Sequence, residues 1–177
     1  MTGTDAGWLA DRIRDVPDFP KPGVVYKDIT PLLADPKGLE HCVAALAEPF
    51  AARRVDKVVG IEARGFILAA PVAMRLGAGF VPVRKAGKLP WKVRSDTYDL
   101  EYGTDTLEIH RDALSAGERV LVVDDVLATG GTASAGVRLV KALGATTVGF
   151  GCVIELAFLA GRAKLEGVEA VSLITYT

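Results

Sequence analysis

The sequence predicts an α/β fold, a mostly parallel central sheet flanked by helices, on three observations. Short runs rich in β-branched residues alternate along the chain with longer segments of helical period. Two of those runs, "KVVGI" at 57–61 and "RVLVVDD" at 119–125, are apolar without polar alternation, as expected of strands covered on both faces. Glycine follows two of the helical patterns, at Gly77 and Gly144, where such helices stop.

Element by element, Trp8, Leu9, Ile13 and Val16 among charges predict a short helix over about 7–15, stopped by Pro17. The stretch "PDFPKPGVVYKDITPLL" carries Pro17, Pro20 and Pro22 before Gly23 and reads as an extended, turn-rich path. Leu39, Val43, Leu46 and Phe50 recur at helical spacing and predict a helix over about 37–53. "KVVGI" is then a buried strand, and "EARGF" a turn into a second helix ending near Gly77, with Pro71 inside it counting against regularity.

"GFVPVRK" at 79–85 is a strand that ends in Arg84 and Lys85. Residues 86–104 show no clean period, and a loop of that length inside a domain is functional or disordered. "DTLEIH" at 105–110 alternates as a half-exposed strand, "RVLVVDD" is a buried one, and Thr132 to Leu143 is a helix with Val137, Val140 and Leu143 inward. Strands near 147–154 and 170–174 complete the chain, which has no internal repeat and no low-complexity segment.

Residues 1–177 suit a single domain, half apolar and 24% charged, as in ordinary soluble proteins. With 21 basic and 22 acidic residues the net charge is -1, which argues against general affinity for nucleic acid or an anionic membrane. Cys42 and Cys152 make no metal spacing, and no leader or membrane-spanning run is present, so reduced thiols in a cytoplasmic protein are expected. His41 and His110 are isolated, and no His/Cys/carboxylate cluster argues for a resident metal.

Chemistry concentrates in "VLVVDDVLATGGT", Val120 to Thr132. A buried strand delivers Asp124 and Asp125 to the carboxyl edge of the sheet, where open parallel sheets bind ligands. Gly130 and Gly131 let backbone approach a ligand, Thr129 and Thr132 offer hydroxyls, and the next helix begins with free N–H groups, together suiting a phosphate monoester. Carboxylates would repel that phosphate and are better matched to vicinal hydroxyls, so a ribose 5-phosphate satisfies both halves. Neither the Gly-Lys-Ser/Thr ending of a nucleotide P-loop nor a dinucleotide fingerprint is present.

The complete string closely resembles the signature of the type I phosphoribosyltransferases, which bind 5-phosphoribosyl 1-diphosphate. "PDFPKPGVVYKDITPLL", "GIEARGF", "VRKAGKLPW", "YDLEYGTDTLEIHRDAL" and "VIELAFLAGRAKL" extend the resemblance from about Arg12 to Leu173, specifically to the adenine phosphoribosyltransferase family. The resemblance implies the type I phosphoribosyltransferase fold with an N-terminal hood over 1–35 that binds the purine and a mobile lid over 86–104. It implies that Asp124 and Asp125 meet the ribose hydroxyls and that Ala128, Thr129, Gly130, Gly131 and Thr132 hold the 5-phosphate.

By the same resemblance Val25, Tyr26 and Lys27 build the adenine pocket, an aromatic ring stacking on the purine while main-chain groups read its edge. Many relatives carry phenylalanine and arginine where Tyr26 and Lys27 stand, so an arginine side-chain role does not transfer. Arg64 matches the diphosphate loop, and Arg84, Lys85 and Lys88 form a second basic cluster; read without the resemblance, each is better taken as a solvated surface charge. Glu101 in "LEYGT" matches the proton-transfer residue, and Tyr102 a lid-positioning one. The implied activity is transfer of the 5-phosphoribosyl group to adenine, giving AMP and diphosphate in purine salvage. Magnesium would be held mainly by the substrate, in a homodimer. Two alternatives are a non-catalytic sensor of phosphoribosyl diphosphate and an enzyme for 6-oxopurines; retention of "LEYGT" and "GVVYKD" argues against the first, and no lysine for a 6-oxo group is located by motif.

Overall fold

A computed structural model describes residues 3–99 and 103–177. In chain order the elements are α1 (Gly3–Ala10), β1 (Arg14–Pro17), β2 (Val25–Asp28), α2 (Thr30–Ala34), α3 (Pro36–Ala47), β3 (Lys57–Ile61), α4 (Arg64–Leu76) and β4 (Gly79–Lys85). There follow β5 (Val93–Asp99), β6 (Thr104–His110), β7 (Arg119–Leu127), α5 (Gly131–Ala142), β8 (Thr146–Leu156) and β9 (Ala170–Tyr176).

Seven strands form one sheet in the order β5-β6-β4-β3-β7-β8-β9, and β1 pairs with β2 in a separate antiparallel ladder. Strands β4, β3, β7, β8 and β9 run parallel, while β6 and β5 add an antiparallel edge. The expected α/β class and mostly parallel sheet are therefore present. Strand β7 shows why its sequence lacks alternation: Leu121 and Val123 enter the core under α3 and α4, while Val120 and Val122 enter the core under α5. Among the described residues no helix is long and apolar enough to cross a membrane.

Four local expectations are corrected. The predicted helix over 7–15 ends at Ala10, and Arg14–Pro17 is instead a strand, because pairing with Val25–Asp28 satisfies its backbone. The predicted helix over 37–53 ends at Ala47, and Glu48–Phe50 tightens into a 3-10 turn around Pro49, which has no N–H to continue the ladder. Pro71 leaves α4 a continuous helix from Arg64 to Leu76. Residues 93–99, expected to lie in a structureless loop, form β5 and pair with the whole of β6.

The connections set the position of the site. From β3 the chain crosses through α4 to β4 on one side, and β7 lies on the other side of β3. The strand order reverses there, and the carboxyl ends of β3 and β7 open a crevice.

Candidate active site

A cleft of about 530 Å³ occupies that crevice. It is lined from the end of β3 by Glu62, Ala63 and Arg64, from β4 to β6 by Lys85, Tyr98, Asp105 and Leu107, and from β7 into α5 by Asp124 to Ala133. The structure thus brings together Arg64, Lys85, Asp124, Asp125, Ala128, Thr129, Gly130, Gly131 and Thr132, all expected from the sequence.

Asp124 and Asp125 are 7% and 6% exposed, and the Asp125 N–H donates to Asp124 Oδ1 at 2.9 Å. Burial, and then the neighbouring Asp125 charge, raise the Asp124 carboxyl well above the usual carboxylate range. Asp125 accepts from Arg64 Nε, so the guanidinium lies over the acidic pair. Gly65 makes this approach possible: a Cβ there would stand 2.9 Å from Asp124 Oδ1 and 3.0 Å from the Val123 carbonyl.

The loop between β7 and α5 turns on Gly130, at φ 77°, which caps α5 in the left-handed region. The amide of Ser134 donates to the Gly130 carbonyl at 2.9 Å, starting the helix, and the N–H groups of its first turn precede any ladder. The helix therefore aims donors and the positive end of its dipole at the loop.

Residues 25–27 lie on β2, close to the cleft. The Arg64 guanidinium carbon is 5.7 Å from the Tyr26 ring centroid, and Tyr26 meets Phe19 edge-on at 5.2 Å. Val25 is 50% exposed. Lys27 is turned elsewhere, its Nζ donating to Asp15 at 2.7 and 2.8 Å and lying 4.1 Å from the Tyr176 ring centroid.

Two basic residues stand apart from the lining. Arg84 is bracketed by Glu62 through a two-pronged pair at 3.1 and 3.0 Å and donates to the Lys88 carbonyl at 3.0 Å. That contact, chiefly, holds the Glu62 carboxyl below its usual range. Lys88 itself contributes no lining atom. Glu101 and Tyr102 lie outside the described residues.

The chain matches the phosphoribosyl transferase domain family over residues 28–172. It is 59% identical over 173 residues to an adenine phosphoribosyltransferase of Thermobifida fusca, covering 97% of this chain and 98% of the relative. This chain belongs to the adenine phosphoribosyltransferase family. Solved structures agree: an adenine phosphoribosyltransferase from Rhodothermus marinus superposes with a TM-score of 0.94 at 50% identity, covering 99% of this chain and 100% of its own. One from Saccharomyces cerevisiae, complexed with D-2,5-dideoxy-2,5-imino-altritol 1,6-bisphosphate and adenine, gives 0.91 at 40% identity, covering 96% and 98%.

In this member of the adenine phosphoribosyltransferase family, four cleft neighbours go unnoticed in the sequence reading. Glu62 follows β3 and anchors Arg84; its place before the recognised "ARGF" is the available signal. Tyr98 and Asp105 reach the cleft only because β5 and β6 pair. Gly161 packs on the loop around Gly130 from a distant part of the chain, and nothing local in the sequence marks it.

Proposed function

We infer that this chain transfers the 5-phosphoribosyl group of 5-phosphoribosyl 1-diphosphate to N9 of adenine, forming AMP and diphosphate, the reaction of purine salvage. The observation that carries the reading is Arg64, whose guanidinium pairs with Asp125 and faces Tyr26, so that ribose and purine positions adjoin across one side chain. Family membership with relatives named adenine phosphoribosyltransferase supports adenine as the acceptor.

Each part of the donor then has chemically suited neighbours. The 5-phosphate takes N–H and hydroxyl donors from Ala128 to Thr132, and the ribose 2- and 3-hydroxyls donate to Asp124 and Asp125. Those hydrogen bonds favour the charged form of Asp124, offsetting the cost of its burial. Arg64 and Lys85 face the diphosphate, with Arg84 and Lys88 adding positive charge behind them. Adenine stacks on Tyr26, and the main chain of Val25 to Lys27 reads its 6-amino group and N1.

Bond breaking at the anomeric carbon builds positive charge on the ribose, which the two carboxylates beneath it stabilise. Glu101 exchanges a proton with the purine as its nitrogen attacks. Its sequence neighbours Tyr98 and Asp105 both line the cleft, which supports that assignment. The segment 86–104 serves as a lid that excludes water from the cationic state.

Among the described residues no three His, Cys, Asp or Glu side chains gather as a metal cage. The cleft's hard oxygen donors suit a magnesium ion carried in by the substrate, and when bound it neutralises the leaving diphosphate. Exposed Ile67 and Met74 on α4, with Phe80 on β4, offer apolar surface suited to a second copy in a homodimer. Buried, unpaired Cys42 and Cys152 suit the reducing cytoplasm.

The test is to supply phosphoribosyl diphosphate and magnesium with adenine, hypoxanthine, guanine or xanthine separately and to measure nucleotide. AMP from adenine, with turnover of the oxopurines lower by orders of magnitude, is expected. Tight donor binding with no turnover of any base would overturn the reading.

A further inference from the structure

A chain of polar contacts crosses the base of the β5–β6 hairpin. Thr132 Oγ1, in the phosphate loop, donates to Tyr98 Oη at 3.3 Å, and Tyr98 Oη donates to Asp105 Oδ2 at 3.5 Å. The same Asp105 oxygen lies 3.3 Å from Lys85 Nζ. Tyr98 and Asp105 face each other across the ladder, and Tyr98 is 7% exposed with its ring in the core under α5.

Two residues earlier, on the same face, Asp96 takes three hydrogen bonds from Arg138 of α5, at 3.2, 3.0 and 2.5 Å. Arg138 also donates to Ser134 Oγ at 2.7 Å, in the first turn of that helix. The hairpin is therefore tied to the start of α5 at two points, one of them the hydroxyl of Thr132.

We propose, on the reading of the cleft as a phosphoribosyl diphosphate site, that Tyr98 is a positioning residue for the 5-phosphate, orienting Thr132 Oγ1 and linking it to Asp105 and Lys85. A threonine hydroxyl has one proton and two lone pairs. In this structure that proton goes to Tyr98. A phosphate dianion attracts it instead, and Tyr98 Oη then becomes the donor to Thr132 Oγ1, so a phenol proton supports the Thr132–phosphate hydrogen bond. Burial raises the Tyr98 phenol above its ordinary value, keeping that proton in place at working pH. The exchange releases Asp105 from Tyr98 and leaves it to Lys85, whose ammonium faces the diphosphate side of the cleft.

Tyr98→Phe removes one oxygen and keeps the ring. Losing one hydrogen bond of ordinary strength predicts a KM for phosphoribosyl diphosphate about five- to tenfold higher. Affinity for AMP, measured by calorimetry, should fall by the same factor, while the KM for adenine, which has no phosphate, stays within twofold of wild type. In a Thr132→Val background the substitution should have no further effect on AMP affinity. Partial misfolding would lower kcat and leave both KM values in place, so an unchanged KM for phosphoribosyl diphosphate overturns the role of Tyr98 even in a poorly folded variant. So does an equal rise in both KM values, or AMP bound equally by both proteins or by neither. Wild-type turnover of adenine reports the functional reading separately, because the ratio of AMP affinities is read without turnover.

Discussion

The backbone of Gly161 lies directly against that of Gly130, and neither residue has room for a β-carbon. A Cβ on Gly161 would overlap the Ala128 carbonyl and stand 2.8 Å from the Gly130 nitrogen; one on Gly130 would overlap the Gly161 carbonyl. The loop around Gly130 is thus backed by a residue 31 positions beyond it in sequence, and that segment is pinned by Arg162, which pairs with buried Glu155 and donates to the Ala170 carbonyl at 2.6 Å. Gly161→Ala must displace one backbone or the other. We expect a loss of about 1–3 kcal/mol in stability and a KM for phosphoribosyl diphosphate raised on the order of tenfold or more, with the KM for adenine much less affected. Denaturant melts and initial rates check both; wild-type values for each would mean the contact is slack.

On the proposed ribose contact, Asp124 sets ligand binding against stability. Burial and the adjacent Asp125 hold its carboxyl above the usual range. The folded chain therefore keeps this proton where the unfolded chain has lost it, so stability falls as pH rises from the unfolded carboxylate value through the folded one. Asp124→Asn removes that decline. Its Tm should hold flatter over the interval and exceed wild type at neutral pH, by roughly 2–4 °C per kcal/mol relieved. Affinity for phosphoribosyl diphosphate should fall on the order of tenfold. Thermal melts from acid to neutral pH and calorimetry give the two readings, and a Tm below wild type at neutral pH would reverse the assignment.

What the sequence makes legible here is what is local. Asp124 to Thr132 is one uninterrupted string, so the strand, the acids, the turn and the helix start are read off together, and all of them line the cleft. Strand β5 is another matter: "VRSDTYD" has no apolar alternation because its order comes from pairing with β6, itself read from the sequence, and from Asp96 on Arg138. Strand β1 is missed for the same reason, and the end of α3 because the helical spacing up to Phe50 outweighs the one proline that ends it. Lys27 pairs with Asp15 and Arg84 with Glu62, partners 12 and 22 residues away, which no spacing rule connects.

Glu101 falls outside the described residues, and its role is tested kinetically. Glu101→Ala should lower kcat by about 10²–10⁴ if it transfers the proton, with the dissociation constant for phosphoribosyl diphosphate within a few-fold of wild type. Single-turnover rates and equilibrium binding separate the two effects. Equal losses in rate and binding would remove Glu101 from the chemical step.

The central claim is that one cleft holds ribose 5-phosphate between Asp124 and Thr132 with adenine beside Tyr26. A crystal structure of the chain with AMP tests it most directly. The account predicts the 5-phosphate within hydrogen-bond distance of the Thr129 to Thr132 amides, the ribose hydroxyls on Asp124 and Asp125, and the purine stacked on Tyr26. A phosphate bound by Arg64 and Lys85 instead, or a purine remote from Tyr26, would contradict it.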